Sequence, residues 1–197
     1  MRKIGAHYYL RPDGQWGKRP VITLDGEGII HSIKELGDNF KEEPGLEFFS
    51  GVIIPGFIED WRGYDLKDKS VQQQCKKALI GGTLKVVIAN DQQSDVPASI
   101  QNKVALQILK QDSTEHISQD YKSTWEQINE DWQIHLETFD LAKVIIKHTG
   151  QMAAKIGMNT NWGIIRENAH PGLLLLQNLD WTNFTLTNKS TVRILNR

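Results

Sequence analysis

The run Val52-Ile53-Ile54 breaks at Pro55-Gly56 and resumes as Phe57-Ile58. Proline has no N–H to give to a sheet ladder, and glycine has no side chain to pack, so a single strand does not run through the pair. One strand must end there and another begin. Whatever fold the chain adopts has to place a change of direction inside its most apolar early segment.

Upstream of that break the pattern is β. Lys3 to Leu10 reads as a short strand, and Arg11-Pro12-Asp13-Gly14 carries turn chemistry. Val21 to Leu24 resumes as a strand, and Asp25-Gly26-Glu27-Gly28 is a hairpin-type turn into Ile29 to Ile33. Asp38-Asn39 and Pro44-Gly45 mark a loop before the strand Leu46 to Ile54. Strands at this close spacing argue for a small sandwich or barrel layer rather than βαβ units.

The middle of the chain has a different period. Ser70 to Ile80 places Val71, Cys75, Ala78 and Leu79 at helical spacing and stops at Gly81-Gly82. Thr83 to Ala89 (TLKVVIA) is a β-branched strand of the kind buried on both faces of a parallel sheet. A helix is expected from Ala98 to Lys110, with Ile100, Val104, Ile108 and Leu109 in one stripe. Ser123 and Glu126 form a capping box, and helical periodicity continues through Trp132, Leu136, Phe139 and Leu141 to Ile146. Thr149 is placed to cap a short helix, Gly150 to Ile156, that Gly157 ends. From Trp162 the chain returns to β: Leu173 to Gln177, a turn at Asn178 to Trp181, then Phe184 to Leu186 and Thr191 to Leu195. Both ends are thus β and the middle is α/β, so the simplest topology puts both ends in one layer with the middle inserted.

Composition narrows the function classes. A formal net charge of -1, without any basic block, gives no electrostatic pointer to nucleic acid or anionic membrane. The longest apolar stretches are too short to cross a bilayer, and the N-terminus lacks the apolar core of a signal peptide, so a cytoplasmic location is expected. A single cysteine, Cys75, leaves no internal disulfide or multi-cysteine metal site.

Three stretches together resemble the amidohydrolase superfamily, in particular its cytosine-deaminase and chlorohydrolase-like enzymes. They are LDGEGIIHSI, EFFSGVIIPGFI, and the distant AKVIIKHTGQMAAKIGM followed by GIIRENAHPGLLLL. Asp25-Gly26-Glu27-Gly28-Ile29 matches that family's N-terminal hairpin, and Pro55-Gly56-Phe57-Ile58 matches its junction into barrel strand one. Thr149 to Gly157 matches its C-terminal helix loosely, and Gly163 matches the first glycine of its return motif. Asn168 and Pro171-Gly172 depart from that motif.

The resemblance implies an α+β architecture. A β-sandwich composite domain would be built from both chain ends, residues 1–54 plus 158–197. Residues 55–157 would be an inserted α/β remnant of a (β/α)8 barrel. Roughly 90 residues separate Ile58 from Thr149, whereas a whole (β/α)8 barrel takes ~250, so only about two βα units fit.

The family supplies two metal ligands as His-x-His just after the junction. Here the sequence is Glu59-Asp60-Trp61-Arg62-Gly63, so Trp61 and Gly63 stand at the ligand positions. An indole offers only a donor N–H and glycine offers no side chain, so neither coordinates Zn or Fe. The six histidines, His7, His31, His116, His135, His148 and His170, show no i, i+2 or i, i+4 pairing. The carboxylates Glu59, Asp60 and Asp65, with His148, remain candidates for acid–base work, although carboxylates on such a loop more often only solvate it. No nucleophile elbow or phosphate loop is present.

The leading expectation is a degenerate, truncated amidohydrolase-like protein without a cofactor, serving a binding, structural or regulatory role. The alternative is a divergent hydrolase of C–N bonds in a cyclic amide or amine, with Zn or Fe as cofactor. A cut barrel exposes strand edges and apolar helix faces. Trp125 and Trp132, on one helix face, suit their cover or a partner surface. The expected partner is a second copy, as a homodimer, or a full-length amidohydrolase.

Overall fold

The computed structural model describes residues 1–38, 42–101, 104–109, 121–158 and 161–196. Its first sheet draws on both chain ends. It contains β1 (Arg2–Leu10), β2 (Trp16–Lys18), β3 (Pro20–Leu24), β4 (Ile30–Glu35), β5 (Leu46–Pro55), β9 (Leu173–Gln177) and β10 (Thr191–Asn196). The order is β10-β9-β5-β1-β3-β4, with β2 also pairing to β1. Only β1 and β5 run parallel; the other pairs are antiparallel.

The apolar runs in β5 and β9 follow from burial on both faces. Val52, Ile54, Leu174 and Leu176 point into one core, and Ile53, Leu173 and Leu175 into the other. The first core is closed by helices, through Ile128, Leu141, Ala142 and Ile145. The second is made largely by the sheet itself, with Ile22, Leu24 and Ile30 from one end joining Leu195 from the other. The sheet therefore curls until its ends meet. Arg2 Nη1 donates to the Leu195 carbonyl at 2.8 Å, and Asn196 Nδ2 to the Gly28 carbonyl at 3.4 Å. Both chain ends share one β layer, hydrogen-bonded as a single sheet.

At Gly56 the chain crosses to a second sheet, the parallel β6 (Phe57–Asp60), β7 (Thr83–Ala89) and β8 (Ala105–Leu109), in the order β6-β7-β8. The crossing is tight. Gly56 N–H donates to the Gly172 carbonyl at 3.1 Å. A Cβ on Gly56 would stand 2.7 Å from Leu84 Cδ1, and one on Gly172, where φ is 63°, would stand 2.5 Å from the same atom. Both positions need glycine because the two sheets close on one leucine.

Helix α1 (Lys69–Ile80) connects β6 to β7 and starts at Asp68, whose side chain accepts from Ser70 N–H. Val86 and Ile88 face α1 through Cys75, Ala78 and Leu79, whereas Ile58 and Val87 face the opposite side. That opposite side is covered by α5 (Gly150–Lys155), through Ala153, and by Ile156. Between them lie α2 (Ala98–Gln101), α3 (Thr124–Ile134) and α4 (Leu141–His148). No helix among the described residues is long and apolar enough to cross a membrane.

Four local expectations are corrected. The segment from Ala98 is helical only to Gln101 and is a strand from Ala105. Its helical spacing of apolar residues is overridden by parallel pairing with β7; Lys110 lies outside the described residues. The long helix after Ser123 is two helices, because α3 ends at His135 and Asp140 restarts the chain by accepting from Lys143 N–H. Thr149 is the N-cap residue of α5, but its side chain does not cap the helix; its hydroxyl donates to the Ile145 carbonyl instead, at 2.9 Å. Phe184 to Leu186 is not a strand: Phe184 has φ 52°, and only an isolated Asp180–Thr185 bridge forms.

Candidate functional site

The C-terminal end of β6 carries Glu59 and Asp60, and the tight turn after it returns Trp61 to the interior, 1% exposed. Alternation along the strand sends the two carboxylates to different surroundings. Glu59 is 6% exposed and accepts four hydrogen bonds. Trp61 Nε1–H donates to Oε2 at 2.8 Å, and the Tyr121 hydroxyl donates to the same oxygen. Thr83 Oγ1–H and Thr124 N–H each donate to Oε1 at 2.8 Å. A carboxylate has about four lone-pair sites, so protein donors take up its accepting capacity.

The indole N–H of Trp61 also approaches the Tyr121 oxygen at 3.1 Å, so Trp61, Tyr121 and Glu59 form a closed triangle. Tyr64 meets Tyr121 edge to face at 5.0 Å. Burial, followed by the charge of Glu59, raises the Tyr121 and Tyr64 phenols above their ordinary values. The same two causes push the Cys75 thiol up to about 12, so Cys75 is a buried, protonated neighbour of this site.

Asp60 is bound to Arg62. Arg62 Nε donates to Oδ1 at 2.9 Å, Nη2 to Oδ2 at 2.6 Å, and the Arg62 backbone N–H to Oδ1 at 3.2 Å. Burial raises the Asp60 carboxyl, but the bonds from Arg62 outweigh it and hold the carboxyl below its usual range. Asp65 is exposed and accepts from Lys67 N–H at 3.0 Å in a turn of its own.

A cleft of about 130 Å3 joins these groups to the helices. Ile58, Glu59 and Asp60 of β6 line it together with Tyr64, Tyr121, Thr124, His148 and Met152. His148 is 6% exposed, and its Nε2 is a buried nitrogen with no hydrogen-bond partner among the described residues. Burial and then the charge of Lys147 lower the pKa of His148, against smaller opposing effects from Asp131 and Glu59. The imidazole is therefore neutral at neutral pH.

Of the four acid–base candidates, the structure brings Glu59, Asp60 and His148 to one cleft and leaves Asp65 outside its lining. Of the other histidines, His31 and His135 are exposed, His7 accepts from Gly51 N–H, and His170 packs beside Trp162. His116 lies outside the described residues. Sequence reasoning missed Tyr121, Thr83 and Thr124 as partners of Glu59, and no local pattern announces a contact 62 residues long. Arg62 was within reach of reasoning, because Asp-x-Arg at a strand end suits a local fork.

The residues at this position do not fit a metal. No group of three or more His, Cys, Asp or Glu among the described residues is arranged to hold one. The side chain at the first expected ligand position, Trp61, donates a hydrogen bond to the Glu59 carboxylate.

No protein-family model matches the chain, and no curated protein matches it in sequence. Several solved structures are similar to parts of it. Helicobacter pylori aminofutalosine deaminase in complex with methylthio-coformycin is 12% identical over 80% of this chain and 49% of its own, with a TM-score of 0.43. Aspergillus niger ochratoxinase is 15% identical over 54% of this chain and 30% of its own, with a TM-score of 0.39. Guanine deaminase from C. acetobutylicum with bound guanine is 13% identical over 80% and 51%, with a TM-score of 0.34. The chain spans between 24% and 51% of the length of these and the related structures. Likeness of this order carries no argument about chemistry, so function has to be argued from the side chains at the β6 cleft.

Proposed function

We propose that the chain keeps an amidohydrolase-like junction as a scaffold, has lost metal-dependent hydrolysis there, and uses the β6 cleft for binding. The observation that carries this reading is the Trp61 indole N–H bonded to Glu59. Where the resemblance calls for a metal ligand, the chain has a donor-only side chain, and it is committed to the carboxylate beside it. Thr83, Thr124 and Tyr121 then use what remains of Glu59's accepting capacity. Metal analysis of purified protein tests the reading: stoichiometric Zn, Fe or Mn bound at the end of β6 would sink it.

A second reading is favoured by one observation. His148 is neutral and buried, its Nε2 has no partner among the described residues, and it shares the cleft with Asp60, which suits a general base. In this version the chain hydrolyses a C–N bond of a cyclic amide or amine. His148→Ala and Asp60→Ala should then abolish turnover, and unchanged rates would remove the idea. For either reading the chain works as a dimer or beside a full-length amidohydrolase. Ile80, Ile134 and Leu136, exposed by 77%, 72% and 62%, are the side chains such an interface would cover.

A further inference from the structure

The cleft lies along an open strand edge. Phe57 N–H donates to the Gly82 carbonyl at 3.1 Å and Trp61 N–H to the Val87 carbonyl at 2.8 Å, so the odd-numbered residues of β6 spend their main-chain groups on β7. The main-chain groups of Ile58 and Asp60, which alternate with them, point to the other edge, and β6 has no strand partner there among the described residues. Both residues line the cleft, and Ile58 is 1% exposed. His148 lines the same cleft, and its buried Nε2 has no hydrogen-bond partner among the described residues.

Charge is also unbalanced at this point. Asp60 is offset by Arg62 at 2.6 Å, and Lys122, which lines the cleft, by Glu130 at 2.7 Å. The four groups bonded to Glu59 are an indole, a phenol, a hydroxyl and an amide, all of them neutral. No cation among the described residues forms an ion pair with Glu59. A buried carboxylate without a counter-charge favours a positive ligand beside it, and two aromatic residues, Tyr64 and Tyr121, line the same cleft.

We infer that the β6 cleft binds a small organic monocation, a primary ammonium ion. Its N–H groups would be accepted by His148 Nε2 and the edge carbonyls of β6, and Glu59 would supply the counter-charge. His148 acts as the acceptor in the tautomer with its proton on Nδ1. A volume of about 130 Å3 sets the size at a handful of heavy atoms. This inference rests on the binding role proposed above and names its ligand class.

The test is a titration of the purified chain with ethylammonium chloride, followed by the His148 ring resonances in NMR and by calorimetry. Tetramethylammonium chloride and sodium acetate serve as controls. Ethylammonium should shift the His148 signals, tetramethylammonium should bind at least ~10-fold more weakly for want of N–H donors, and acetate should not bind. His148→Phe should weaken ethylammonium by ~10- to 100-fold, and His148→Gln, which keeps an acceptor, should stay nearer the parent. Equal binding of tetramethylammonium or acetate, or unchanged affinity in a folded His148→Phe protein, overturns the inference. Metal content is measured on the same sample. Metal-free protein that ignores ethylammonium removes this inference alone, whereas metal at β6 removes the reading beneath it.

Discussion

Replacing Trp61 by Phe isolates the interaction on which the functional reading depends. The substitution keeps an aromatic ring in the core that Trp61 shares with Leu66, Cys75 and Ile88 and deletes the N–H that donates to Glu59 at 2.8 Å. A hydrogen bond to a charged acceptor contributes about 1.5–3 kcal/mol, and the smaller ring leaves a void costing about 1 kcal/mol more. The expected loss is therefore about 3 kcal/mol, a large share of the stability of an ordinary domain. Urea unfolding should show it as a lower midpoint at constant m.

Glu59→Gln sharpens the test, because Trp61 Nε1 and Thr124 N are both obligate donors and sit on different oxygens. An amide at residue 59 must turn its NH2 toward one of them. In the double variant that clash is relieved on the Trp61 side, so the two losses should fall short of additivity by at least ~1 kcal/mol. Additivity within ~0.5 kcal/mol, or a Trp61→Phe loss below ~1 kcal/mol, would refute the claim that the indole and the carboxylate act as a unit.

Other expectations follow from the same structure. Gly172→Ala should cost about 2–3 kcal/mol, since its Cβ would meet Leu84 Cδ1 at 2.5 Å with φ at 63°, and the cost should shrink in a Leu84→Val background; equal costs in both would place the strain elsewhere. Burial, then the bond to Glu35, raises Tyr9 to about 12, and burial with the Glu59 charge raises Cys75 to about 12. Both folded values lie above the unfolded ones, so this stability is present below pH 9 and is lost as pH rises toward 12; urea midpoints that stay flat across that window contradict it. Cys75 should react with an aromatic disulfide reagent only as fast as the chain opens, and a fast stoichiometric reaction in the native state would show otherwise. Light scattering should find a dimer that Ile80→Lys or Ile134→Lys weakens, and an unaltered monomer in all three proteins would remove that interface.

Features that depend on neighbours in sequence were legible. Asp25 accepts from Glu27 and Ile29 N–H in the hairpin turn, and Ser123 and Glu126 close their capping box, as their spacing requires. Gly157 takes φ 66° where a helix stop needs it. Features decided by distant partners were not. Ile100, Val104 and Ile108 are spaced as a helix stripe, yet Ala105–Leu109 is a strand because β7 offers it a parallel edge. At the site, the candidate carboxylates and His148 could be named, but which of them meet could not. Asp65 faces solvent in a turn whereas Asp60 ends β6 beside Arg62, and Tyr121 reaches Glu59 through tertiary packing alone.

The position of β9 has a consequence for how this chain is made. It pairs with β5 through Val52 to Pro55, and those residues leave the ribosome long before Leu173 to Gln177 do. Until then β1 can occupy one flank of β5, while the other flank presents Val52, Ile53 and Ile54 as an unpaired apolar edge. The β9–β10 hairpin should thus dock last and seal the layer, with the amides of residues 173–177 gaining protection latest in pulse-labelled hydrogen exchange. If they are protected together with β1 and β3, the order is wrong. If they come last, any nascent chain stalled before Leu173 is a template for aggregation, and its quality depends on the fifth strand remaining covered during synthesis.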